Sequence, residues 1–143
     1  MKKMMIFSGC VVLVLTSMVF VSYAEMQKIA LSEANLAELK GKWVGSRSLG
    51  PGFNFNTDLE IFNDSLPIQG RYILHDVKTQ GGRSSTMDVI DFKEGKINDQ
   101  GNLLITARNI EMELSLYKDD GKLKLEGGFF APAGRGTLSF KKK

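Results

Sequence analysis

From Phe53 to Ile61 the chain alternates without a break. Phe53, Phe55, Thr57, Leu59 and Ile61 hold one parity, and Asn54, Asn56, Asp58 and Glu60 hold the other. Successive side chains of a strand point to opposite faces, so the pattern predicts a strand with one face buried. Met112, Leu114 and Leu116 alternate with Glu111, Glu113 and Ser115 in the same way. Leu103 with Ile105, and Leu123 with Leu125, mark two more strands. Turn chemistry falls between the runs, at Asn63-Asp64, Gly81-Gly82, Glu94-Gly95, Asp99-Gln100-Gly101-Asn102 and Asp119-Asp120-Gly121. The whole pattern predicts eight strands, near 42–48, 53–62, 69–78, 84–93, 102–108, 111–118, 122–130 and 135–141, with a piece at 96–98 extending the fourth.

Residues 25–40 read differently. Ser32 is a candidate N-cap, Leu36 and Leu39 share a helical face, and Gly41 is a stop. One short helix of about two turns is expected there. No connection between strands is long enough for a crossover helix, so the sheet is expected to be antiparallel. Hairpin follows hairpin, and closure removes exposed edges. The fold class is therefore all-β: an eight-stranded antiparallel up-and-down barrel with a short N-terminal helix. A two-layer β-sandwich is the alternative.

Ahead of this lies Met1-Lys2-Lys3, then an apolar run from Ile6 to Val21, then Ser22-Tyr23-Ala24. A positive start, an apolar core and a small-x-small exit predict a secretory signal cleaved after Ala24, with a periplasmic or secreted product. The chain thus divides into a signal at 1–24, an arm and helix at 25–40, and a barrel domain at 41–143. Cleavage of 24 from 143 residues leaves 119. Lys2 and Lys3 leave with the signal, so the formal charge falls from +3 to +1. A near-neutral domain lacks the cations that nucleic-acid binding needs. Cys10 also leaves, which excludes a disulfide, a cysteine nucleophile and a cysteine-based metal site.

Leu39-Lys40-Gly41-Lys42-Trp43 stands where the helix hands over to the first strand. The Gly41-x-Trp43 pattern at that place resembles the opening of the calycin barrels: lipocalins, fatty-acid-binding proteins, avidins and small bacterial metalloprotease inhibitors. The resemblance implies that the helical turn closes one barrel end and that Trp43 plugs it. By the lipocalin pattern, Arg135 on the last strand would pack across the Trp43 ring. It implies a fold rather than a particular ligand.

Candidate chemistry is sparse. His75 is the only histidine, and one imidazole makes neither a triad nor a histidine metal site. Asp88 and Asp91 are three apart and should face opposite sides of a strand. The Asp-Gly turns lack the spaced oxygens of a calcium loop, and Gly81-Gly82-Arg83-Ser84-Ser85 lacks the ending of a phosphate loop. No enzyme, metal or cofactor is expected. A small eight-stranded barrel is either filled or holds one small ligand. The expected function is to hold a small apolar or amphipathic molecule, with Phe53, Phe55, Tyr72 and Met112 as the lining. The alternative is a protein-interaction module, an inhibitor or envelope accessory subunit. Its anchor would be Phe129 and Phe130, which stand together between glycines and a proline.

Overall fold

The computed structural model describes residues 26–78 and 85–143. The predicted signal, and the turn at Gly81-Gly82-Arg83-Ser84, lie outside the described residues. The strands are β1 (Gln27–Ile29), β2 (Gly41–Ser48), β3 (Asn54–Ile61), β4 (Ile68–Lys78), β5 (Ser85–Ile97), β6 (Leu103–Ala107), β7 (Ile110–Asp119), β8 (Lys122–Ala131) and β9 (Gly134–Lys142). Strands β2 to β9 pair in chain order, every pair antiparallel. The ring closes where β9 pairs with β2, from Trp43↔Lys142 to Ser48↔Thr137. This is the expected up-and-down barrel of eight strands, and the closing ladder rules out the sandwich.

The alternation explains the core. Leu59 and Ile61 on β3, Tyr72 and Leu74 on β4, and Met112, Leu114 and Leu116 on β7 all turn inward and are buried. Trp43, Tyr72 and Phe140 are the largest fully buried side chains. Tyr72 and Phe140 meet edge to face with ring centroids 6.5 Å apart, a favourable aromatic arrangement.

Two features of the arm depart from expectation. The helix is a 3-10 segment of six residues, Glu33–Glu38, rather than two α-helical turns. Asn35 interrupts it at φ −125° and ψ 15°. Its side chain accepts from the Ser32 amide at 2.8 Å and donates to the Ala30 carbonyl at 2.9 Å, so local polar bonds replace the helical ladder. The second departure is β1, an added strand that the sequence pattern did not mark. Ile29, Lys28 and Gln27 pair with Leu116, Tyr117 and Lys118 of β7. The shorter β6 reaches only to Leu114 of β7, so β1 continues the wall beyond it.

The barrel is least sealed between β5 and β6, whose ladder has only the pairs Lys96↔Leu104 and Ile97↔Leu103. Against β4, Ile68 pairs with Gly95 and Gly70 with Phe92, so β5 carries one extra residue around Lys93-Glu94. Such a bulge bends and twists its strand, which accounts for the ladder ending there. Across the gap, Arg108 donates to the Asp88 carboxylate at 3.3 Å.

Candidate functional site

Strand direction gives the barrel two unlike ends. At the helix end Leu36, Leu39 and Trp43 are buried together, and the Trp43 indole N–H donates to the Leu39 carbonyl at 2.8 Å. Gly41 takes a φ of +131°, a region that L side chains rarely adopt, where the chain leaves the helix for β2. The cation over the Trp43 ring is Lys142, with Nζ 5.6 Å from the centroid, and it also donates to the Glu38 carbonyl at 2.6 Å. This corrects the expected role of Arg135. β9 starts at the far end of the barrel, so Arg135 stands a strand's length from Trp43 and lies over Phe130 at 5.8 Å instead. Pairing of the first and last strands was expected, but its register makes Lys142 the neighbour of Trp43.

The other end is filled by smaller side chains, with Leu74, Ala107, Ile110, Met112, Phe129 and Leu138 buried there. There Arg47 shares the inward parity of Trp43, two strand repeats along β2. Its partners across the ladders are Phe55 and Leu138, and its guanidinium lies 5.0 Å from the Phe55 ring centroid. The Nε of Arg47 is buried and has no hydrogen-bond partner. A buried donor left unmade is costly, and the Nε of Arg71, whose guanidinium lies over the Phe62 ring, shares this state. Burial pushes the Tyr72 hydroxyl above its ordinary 10.0, while a hydrogen bond with Thr57 and the charge of Arg47 pull the other way. Thr57 itself is fully buried and donates to the Ile73 carbonyl at 2.7 Å. The structure thus gathers Arg47, Phe55, Thr57 and Tyr72 on the inner side of β2 to β4.

The expected lining is only partly together. Phe55 is half-buried beneath Arg47. Tyr72 and Met112 are 1% and 2% exposed and pack into the core. Phe53 is 62% exposed, because β3 begins at Asn54 and leaves it on the preceding loop. It therefore does not line the interior. Arg47 was missed, although the alternation Trp43, Gly45, Arg47 places it on the inner face of the same strand.

On the outer wall a groove of about 660 Å³ runs over β7 to β9, with Glu111, Glu113, Gly128, Phe130 and Arg135 along it. Phe129 and Phe130 part company there, as neighbours on a strand must: Phe129 turns into the core and Phe130 is 54% exposed. They lie within β8, not on the long loop expected there. His75 Nε2 lies 2.9 Å from an Asp58 carboxylate oxygen on the outer face, and Asp88 pairs with Arg108 rather than with Asp91. Among the described residues no group of three or more His, Cys, Asp or Glu is placed to hold a metal ion.

Glu113 is the best-held carboxylate of the groove. It accepts from Asn102 Nδ2 at 3.0 Å and Asn98 Nδ2 at 2.9 Å. These bonds, Asn102 first and then Asn98, hold its pKa below the ordinary 4.5 against a small opposing desolvation, and the charge of Lys28 adds to them. A pKa depressed by folding contributes stability that is present above the unfolded value of 4.5 and lost as pH falls through the lower folded value. Glu113→Gln should therefore flatten the acid limb of a melting-temperature series run from about pH 6 to about pH 3. An unchanged acid limb would show that this network does not set acid sensitivity.

No known protein family, curated protein or solved structure matches the chain.

Proposed function

We propose that the protein is an exported, lipocalin-like carrier whose barrel end around Arg47 takes a small amphipathic molecule with an anionic head. The observation that carries this reading is the inward Arg47 with its buried, unpartnered Nε. A guanidinium fork matches a carboxylate or phosphate, and Phe55 beside it offers an apolar surface to the chain that follows the head. Buried side chains fill the barrel toward both ends, so such a ligand would seat at the Arg47–Phe55 rim, above the buried Tyr72 and Met112. The Gly41-x-Trp43 resemblance to calycins and the signal pattern ending at Ala24 support the same reading. It involves no enzymatic step, metal or cofactor.

Calorimetry with dodecanoate and with uncharged dodecanol tests it. Dodecanoate should bind more tightly, and Arg47→Gln should remove about tenfold of its affinity, or ~1.4 kcal/mol. Equal binding of dodecanoate by the parent and the variant, or none by either, would overturn the proposal.

A second reading is a protein-interaction module working through the outer groove, favoured by the exposed Phe130 with Arg135 stacked on it. An envelope protein captured by crosslinking at Phe130, and lost when Gly128 is replaced by leucine, would favour it. The outer face of Gly128 is open enough for such a change: an added Cβ meets only the Gly136 carbonyl at 3.4 Å.

A further inference from the structure

We propose that the free edge of β5 takes an extended, basic peptide segment of a partner protein as an added strand. From Ser85 to Phe92 β5 pairs with β4 alone, because its ladder with β6 holds only Lys96↔Leu104 and Ile97↔Leu103. Among the described residues this is the longest run of barrel strand with a partner on one side only. Alternate residues of an antiparallel strand turn their amide and carbonyl to the same side, so half of this run presents unpaired backbone groups. An edge of that kind is a template for another strand, and main-chain hydrogen bonds supply the affinity.

Charge selects the partner. Residues 85–92 include Asp88 and Asp91 and no lysine or arginine. The cations of β5 itself, Lys93 and Lys96, come only at the bulge and beyond it. A cation from the neighbouring turn already serves one of the two acids: Arg108 donates to Asp88 at 3.3 Å, and both side chains are more than a third exposed. A second copy of this chain fits the edge badly. This run of β5 laid against itself would gather four carboxylates and no cation into one ladder, and like charges across a ladder destabilise it. A peptide that carries cations supplies what the edge lacks and displaces Arg108 from Asp88.

Spacing narrows the peptide further. Asp88 and Asp91 are three apart and face opposite sides of β5. Ladder partners keep that spacing, so the two cations of the peptide stand three residues apart. Its other side chains are aliphatic, because Met87 is 61% exposed on the outer face and Val89 is exposed beside it. Next to the run the seam opens as a cleft of about 460 Å³, lined by Phe92 and Glu94 of β5 and Leu104 and Thr106 of β6, which gives the end of the added strand room. β5 carries no residue of the Arg47 site or of the outer groove, so this inference stands apart from both readings of the function.

Fluorescence anisotropy with dye-labelled, end-blocked octapeptides of threonine and valine tests it. One carries lysines at its third and sixth residues, and a second carries them at its third and fifth. A third has glutamates in place of the lysines of the first, and a fourth has prolines at its fourth and fifth residues, one of which must face β5. The first peptide should bind about three- to tenfold more tightly than the second, and added salt should weaken it. The glutamate and proline peptides should not bind. Hydrogen exchange should show new protection at the amides of 87–92 when the first peptide is added. Asp88→Asn/Asp91→Asn should weaken that peptide about three- to tenfold, with the fold checked by circular dichroism, and Arg108→Ser should strengthen it by removing the internal competitor. Equal binding by the glutamate or proline peptide, protection away from 87–92, or no binding at all would overturn the proposal. So would a dimer in sedimentation whose 87–92 amides are protected without any peptide.

Discussion

Trp43→Ala is expected to lower the unfolding free energy by about 3–5 kcal/mol. Trp43 is fully buried and is among the largest core side chains, so its removal leaves a cavity that rigid β2 cannot collapse to fill. The indole also holds the Leu39 carbonyl, which ties the 3-10 segment to the barrel end. Lys142 would lose the ring beneath it at the same time. A small domain holds only about 5–15 kcal/mol in total, so this loss is a large share. Urea unfolding followed by far-ultraviolet circular dichroism measures it. A loss under about 1 kcal/mol would mean that the end is closed by Leu36 and Leu39 without the indole.

Gly45→Ala should be nearly as harmful although it adds a single methyl group. Gly45 sits opposite Phe140 in the ladder that closes the ring. A Cβ built there would lie 1.8 Å from the Ser139 carbonyl oxygen and 2.8 Å from the Phe140 Cα. Backbone cannot swing aside as a side-chain tip can, so β2 and β9 must separate locally. Overpacking of this kind costs about 1–3 kcal/mol, and the upper end is expected because ladder bonds are lost as well. Gly128→Ala is the control, since its Cβ finds only ordinary contact at 3.4 Å. Parallel melts of the two variants check the contrast, and similar melting temperatures would show that the seam yields without cost.

Much of the wall was legible because strand periodicity is local. Phe55 to Ile61 and Met112 to Leu116 declare their inner faces in order, and side chains that alternate every two residues need no distant information. Hairpin turns between the runs likewise joined neighbours in sequence and made the antiparallel meander the expected arrangement. The place of Gly41 and Trp43 at the handover into β2 was readable for the same reason. The short arm was read less well. Its helix depended on whether Asn35 would bond to Ser32 and Ala30, and Gln27–Ile29 is a strand only because β6 leaves part of β7 unpaired.

Residues of the chain alone determined the eight strands, their inward faces and the barrel they form, since each depends on patterns a few residues long. Register across the closing seam was decided by the tertiary structure. β2 and β9 lie about ninety residues apart, and no local pattern states which side chains meet when they pair. That register puts Lys142, and not Arg135, over Trp43. It also puts Arg47 between Phe55 and Leu138 with its Nε unpartnered. Phe53, which the alternation extends into the strand, falls outside because the ladder ends at Asn54 opposite Ser48. A side chain's face is written by its neighbours in sequence, whereas its company is written by the closure of the ring.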